Sequence, residues 1–357
     1  VSVGNKANAR GNSSIALGDG AVVQNDGGNR IVNNNSMAIG TAAKTVSSDN
    51  ATAIGHGAFV AKNSHSAIAV GESAQAGKEA ATAIGKEAAA KGKNSLAAGT
   101  SAVAEGENAV SVGQGTEAKG KNAVAIGNAS QTAGSSSVAV GDEAGAAAGR
   151  SVSVGIGAGK GMIGDILGTK GSHVSIGDEA GQNVDGQHDI AIGTKAGGNV
   201  SSNYNIAIGV EAGTNIGTAG NPSIGKNVSI GYNANKNATL VSRLQATAVG
   251  SDTKAADDAF ALGFHAQAAG NGSIAAGFNA LAEDAASMAL GQGAKASGGN
   301  IAIGNGSEAS AAMISGTGYL TGTAAPSTGV SVGTAAALRR ITNVADGAQD
   351  QDAVTVA

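Results

Sequence analysis

The sequence predicts an all-β solenoid, a chain wound into short coils that stack on one another. Nine glycines, Gly85, Gly92, Gly99, Gly106, Gly113, Gly120, Gly127, Gly134 and Gly141, stand seven residues apart. Alternate ones close a nearly identical phrase, as in Asn108-Ala109-Val110-Ser111-Val112-Gly113 and Asn122-Ala123-Val124-Ala125-Ile126-Gly127, so the true period is fourteen. Within the phrase, side-chain character alternates residue by residue, which is the period of a strand. Fourteen residues suffice for two short strands and two tight turns, a coil shorter than the roughly 20–50-residue units of most repeat proteins.

The phrase closes twenty-one times between Gly4 and Gly333, and every interval from Gly71 to Gly155 is fourteen. Elsewhere intervals of 13 to 29 residues mark coils whose turns have gained or lost residues. Insertions belong in exposed turns, because a stacked ladder that takes an extra residue loses its register.

Counted from the closing glycine, positions −4 and −2 carry small residues, such as Ala109 and Ser111 or Ala123 and Ala125. Positions −3 and −1 carry Val110 and Val112, Val124 and Ile126, Val138 and Val140, Val152 and Val154, with Ile84 beside Thr82. After the glycine, positions +3 and +5 are small again, as Thr116 and Ala118 or Ser130 and Thr132. Two faces of small residues must meet inside the coil, where there is room only for Ala, Ser and Thr. The second strand turns Glu117 and Lys119 to water. The first strand turns a repeating row of Val, Ile and Leu outward, a stripe larger than soluble monomers leave bare. Another copy of the same chain is the economical cover. In the second turn, Gly106-Glu107-Asn108 and its repeats supply Gly and Asn, the residues that accept positive φ most readily.

Composition agrees. Of 357 residues 59 are glycine, with no cysteine, no tryptophan and 2% aromatics, too few for an ordinary globular core. A formal charge of −4, with the signs interspersed, offers no footprint for nucleic acid and no basic membrane patch. Absence of cysteine excludes a disulfide framework and suits a chain that must cross a narrow pore unfolded. The chain starts and stops inside structured sequence, as expected of a piece of a longer protein.

On these residues the chain resembles the head repeat of the trimeric autotransporter adhesins, the YadA-like family of Gram-negative bacteria. The shared phrase is Asn122 to Gly127 and its variants Ser36-Met37-Ala38-Ile39-Gly40 and Asn205-Ile206-Ala207-Ile208-Gly209. A second likeness lies in Leu338-Arg339-Arg340-Ile341-Thr342-Asn343-Val344-Ala345-Asp346-Gly347, followed by Asp352-Ala353-Val354, which is similar to the family's neck. The resemblance implies a left-handed parallel β-roll, a homotrimer, and attachment to the outer membrane through a stalk and C-terminal barrel beyond this stretch. It implies a head over 1–333 and a neck over 334–357, with Arg339, Arg340, Ile341, Thr342, Asn343, Val344, Asp352 and Val354 as neck residues. There Arg340 is expected to bond a carboxylate or carbonyl of a neighbouring chain, with Asp346, Asp350 and Asp352 nearby. The residues expected in the trimer core are Ile84, Val110, Val112, Val124, Ile126, Val138, Val140, Val152 and Val154. Implied partners are extracellular matrix proteins, host cells, other bacteria or abiotic surfaces. Longer loops, near 156–173, 210–230, 232–247 and 305–329, are read as the source of individual binding preference.

The chain offers little for catalysis. The five histidines, His56, His65, His173, His188 and His265, lack metal-ligand spacing and read as exposed turn residues. Gly155-Ile156-Gly157-Ala158-Gly159-Lys160-Gly161 lacks the Ser/Thr and the helix of a phosphate loop. Asp165, Asp178, Glu179, Asp257, Asp258, Glu283 and Asp284 read as solvated charge. No catalytic, cofactor, metal or ligand-contact residue is assigned. The alternative reading, a β-helix enzyme acting on carbohydrate, would call for longer coils and a groove of acids or aromatics.

Overall fold

The structure, a computed structural model, describes residues 1–25, 33–162, 171–216, 225–237, 245–310, 312, 316–318, 322–324, 326–345, 347 and 349. The chain divides into two compact units, Val1–Leu244 and Gln245–Ala357. Each is a parallel β-solenoid. In the first unit, strands that precede the closing glycines stack from Ser2–Val3 to Val228–Ile230, every pairing between them parallel. A second ladder follows the glycines, from Asn8–Ala9 to Gly145–Ala146. The second unit repeats the plan, with ladders from Thr247–Val249 to Val330–Ser331 and from Lys254–Ala255 to Glu308–Ala309.

Register follows the period. Val110 pairs with Val124 and Val124 with Val138, each one coil on. Backbone N–H groups point along the stack: Val124 N donates to Ser137 O at 2.9 Å and Glu117 N to Ser130 O at 2.9 Å. The interior is mostly alanine, with Ser and Thr, and it also admits Val23 and Val60, fully buried at +5 where only Ala, Ser or Thr was expected. Ala81, Ala83, Ala88, Ala90, Ala123 and Ala125 are fully buried within the chain, at −4, −2, +3 and +5 as the alternation requires. Some inward hydroxyls find nearby carbonyls, as Ser95 Oγ donates to Gly92 O at 2.7 Å and Thr116 Oγ1 to Gly113 O at 3.1 Å, which meets the polar cost of burial locally, whereas those of Thr45, Ser64 and Ser130 have no such partner. On the outer turn at +8, Glu79, Lys93, Glu107 and Lys121 alternate in sign, with Lys93–Glu79 at 2.8 Å and Lys121–Glu107 at 3.0 Å. Such exposed pairs add little stability, but a slip of one coil would set like charges together.

The two kinds of turn glycine do different work. The closing glycines sit near φ +130, as Gly85 at +128, and a Cβ there would lie 2.6 Å from Gly99 O. Positive φ and crowding both demand glycine. In the second turn the division differs from the sequence expectation. Asn94, Asn108 and Asn122 alone take positive φ, 55, 57 and 56. Gly92, Gly106 and Gly120 do not; a Cβ on any of them would overlap the carbonyl of the next coil.

A further correction concerns the segments read as loops. In three of the four, the described stretches 156–162, 210–216 and 232–237 are regular turns that belong to a second coil type. It repeats Ala at +3 (Ala180, Ala196, Ala212) and a large aliphatic at +7 (Met162, Val184, Val200, Ile216), all buried. Gly181 N donates to Ala196 O at 2.8 Å and Gly197 N to Ala212 O at 2.9 Å. Outside, Asn183 donates to Asn199 at 3.1 Å and Asn199 to Asn215 at 2.9 Å, an amide ladder. The wider coil replaces the short second strand with a bent turn and fills the added space with one aliphatic column.

Two glycine substitutions separate crowding from backbone freedom. Gly115 has φ +61 and open space around an added Cβ, so Gly115→Ala should cost only the roughly 1–2 kcal/mol of a left-handed residue. Gly106→Ala must push two coils apart, and the loss should be about 3 kcal/mol or more. Thermal unfolding of the two variants compares them; equal losses would contradict the crowding.

Candidate functional site

The outward residues of the first strand form a continuous apolar face within each unit, because every strand repeats the same two positions in register. Ile84, Ile126 and Val154 are 46%, 38% and 38% exposed. Val110, Val112, Val124, Val138, Val140 and Val152 are half-buried. In the second unit Phe260, Leu262 and Ile303 are exposed at equivalent positions. Most exposed large apolar side chains among the described residues lie at −3 or −1. No part of either unit folds over this face among those residues.

A second apolar row does not stand out in the repeat phrase. The residue just after the closing glycine is Ile156, Val210 or Tyr232 in the first unit and Phe264 or Phe278 in the second, each exposed. Phe264 stacks on Phe278 with ring centroids 5.4 Å apart and on His265 at 4.4 Å. Position +1 is polar in most coils, and only comparison of that column across coils exposes the exceptions.

At the end of the second unit, Arg339 closes the ladder. In the coils before it, the +1 carbonyl accepts the next coil's +2 N–H, as Gly306 N donates to Gln292 O at 2.7 Å. Asn305 O takes a hydrogen bond from Arg339 Nη2 in place of such an N–H. Arg339 Nη1 donates to Ser307 Oγ at 2.6 Å and to Val332 O at 2.5 Å. The planar fork of guanidinium satisfies several acceptors at once. Thus Arg339 is anchored, and its acceptors are in its own chain. Arg340, Ile341, Thr342 and Asn343 are exposed and Val344 half-buried, while Asp346, Asp350, Asp352 and Val354 lie outside the described residues.

Inside the wide coils the −4 position departs from the small-residue rule. It holds His173, Asp189, Asn205 and Asn227, one per coil, each buried. The reading of all five histidines as exposed turns is therefore wrong for His173, which is 1% exposed; the signal is its place four residues before Gly177. Asn205 Nδ2 donates to Asp189 Oδ1 at 2.7 Å, and Asn227 Nδ2 to Asn205 Oδ1 at 2.7 Å. Burial, then the nearby His188, push the His173 imidazole down to about 4. Burial pushes the Asp189 carboxyl up to about 7, against the pull of Asn205. Among the described residues no three His, Asp or Glu side chains converge as a metal site.

Residues 1–21, 33–58, 63–88, 90–116, 118–144, 255–280 and 285–300 match the family model of the YadA head domain repeat. The wide coils between Gly155 and Asn237 lie outside the matched residues. Among solved structures, the chain is similar to the collagen-binding domain of the Yersinia adhesin YadA. The identity is 21% over 71% of this chain and 82% of that one, with a TM-score of 0.18, too low to carry an argument. Comparison with curated proteins gives no match.

The cap can be tested on its own. Arg339→Ala removes the hydrogen bonds that finish the ladder, for a loss on the order of 2 kcal/mol in the last coil. Hydrogen exchange at the amides of Gly304, Gly306 and Ser307 should accelerate while those of Gly277 and Ala280 stay protected. Unchanged exchange at Gly306 would show that the guanidinium does not close the stack.

Proposed function

We propose that this chain, whose repeats match the YadA head domain repeat over part of its length, is an adhesin head of which three copies assemble through the −3 and −1 face and display the outer turns to a target surface. The observation that carries the reading is the apolar face itself. A half-exposed Val or Ile gains part of the roughly 1.5–3 kcal/mol available on full burial, and the gain recurs in coil after coil. A symmetric copy offers the same face with the same spacing, so no other partner matches it as well.

Adhesion then follows from extent. A coil has no interior room for a substrate, and its outer turns present short, nearly flat polar rows. Contacts of that kind are individually weak, and repetition along three chains converts them to avidity. We place the head on the outside of a Gram-negative cell, joined at residues 334–357 to a neck in which Arg340, left free by the in-chain role of Arg339, reaches a neighbouring chain. Matrix proteins, host cells, other bacteria and abiotic surfaces are the proposed targets. Purified protein applied to surfaces coated with collagen, fibronectin or laminin, to bacterial cells and to plastic should bind at least one saturably. An intact trimer that binds none would overturn the adhesive role and leave the assembly standing.

Assembly has its own test. Ile126→Asp sets a carboxylate in the shared apolar core and should cost several kcal/mol per trimer. Sedimentation should find a threefold mass for the native chain and a smaller one for the variant at neutral pH. A variant that stays a thermostable trimer would move the interface elsewhere.

A further inference from the structure

We infer that His173 and Asp189 form a buried site for one shared proton inside the wide coils. Both occupy the −4 position, in successive coils, so the stacking that aligns Asn205 with Asn227 also sets one side chain over the other. Their side chains are 1% and 7% exposed, with His173 Nδ1 and Asp189 Oδ2 3.5 Å apart. Asp189 Oδ1 is held by the backbone N–H of Asn205 at 2.8 Å and by its amide at 2.7 Å. By contrast Oδ2 and both imidazole nitrogens make no hydrogen bond of good geometry, the Gly186 backbone beside the imidazole giving only a weaker contact that favours its charged form. They line an enclosed space of about 10 Å³, room for no more than about one water. The other lining residues are small or aliphatic apart from Ser175 and Asn205. His188 is the further titratable group that His173 feels.

Charge balance fixes the proton count. With two protons the pair leaves an imidazolium in a dry interior; with none it leaves a bare carboxylate. Either costs heavily without a partner. One proton leaves no net charge, whichever atom holds it, and gives Oδ2 and Nδ1 a bond to share. The separate tendencies agree: burial lowers His173 from 6.5 to about 4 and raises Asp189 from 3.8 to about 7. The folded pair therefore keeps one proton between about 4 and about 7. In the unfolded chain the same two groups also hold one proton over most of that window, on the histidine, so their pH dependences cancel.

Single substitutions should break the cancellation in opposite directions. Asp189→Asn leaves a group whose folded value is lowered, so stability present above 6.5 is lost as pH falls toward about 4. His173→Asn leaves one whose folded value is raised, so stability present below 3.8 is lost as pH rises toward about 7. Each should shift the local opening equilibrium by roughly a hundredfold or more across its window. The readout is hydrogen exchange of the Val174, Ile190 and Ile206 amides, corrected for intrinsic rates. The double variant, which continues the Asn205–Asn227 row, should show no slope. Slopes of one sign, or none in either single variant, would overturn the proposal. For the unaltered chain, the His173 ring nitrogen shifts should hold constant from pH 5 to 6 and change above 7; movement between 5 and 6 would also overturn it.

Discussion

The constraint on which everything else rests is the close approach of one coil's backbone to the next. Parallel ladders set neighbouring strands about 4.8 Å apart, and here the turns must stack at that spacing too. A turn that stacks on its own copy has no room for a Cβ pointing along the axis, which is why glycine columns run beneath Gly85 and Gly106. It also explains why asparagine, tolerant of left-handed backbone, holds the corner beside them. With both ends of the coil pinned, the interior is narrow, and alanine, with Ser, Thr and an occasional Val, is what fills it.

Function is pushed to the outside by the same geometry. The regular coils are filled by small side chains, so what each coil presents is its outer surface. Of its faces, one is polar and solvated, and the other repeats Val and Ile at −3 and −1. That asymmetry sets a polar face and an apolar face on different sides of one coil. The wide coils relax the interior just enough for Val184, Val200 and Ile216, and the added room lets in the polar row of His173, Asp189, Asn205 and Asn227. Unlike the alanine interior, that row depends on one proton.

Much of this architecture is legible in the amino-acid sequence alone. The spacing of Gly85 to Gly141 and the alternation of Val124-Ala125-Ile126 define the coil, its inward residues and its apolar face, because each reflects a strict geometric period. A second period is harder to see. Gly177-Asp178-Glu179-Ala180-Gly181-Gln182-Asn183-Val184 and Gly193-Thr194-Lys195-Ala196-Gly197-Gly198-Asn199-Val200 repeat as faithfully as the first, but they lengthen the coil and so resemble interruption. His173 and Asp189 are hidden for a related reason: they hold the position of alanine in a phrase otherwise intact. Arg339 is out of reach of sequence reasoning, since its partners Ser307, Asn305 and Val332 are set by where the ladder stops.

The most direct measurement is a pair of deletions in the regular coils. Removal of residues 114–127 excises one full period and joins Gly113 to Asn128 in the context that Gly127 had. Removal of 114–120 excises half a period and deletes a second strand. If coil-to-coil register governs the fold, the first variant should keep its β-sheet circular dichroism and nearly its native unfolding temperature, since stability in stacked repeats is close to a sum over neighbours. The second should lose cooperative unfolding. Equal behaviour of the two, or collapse of the first, would contradict the account.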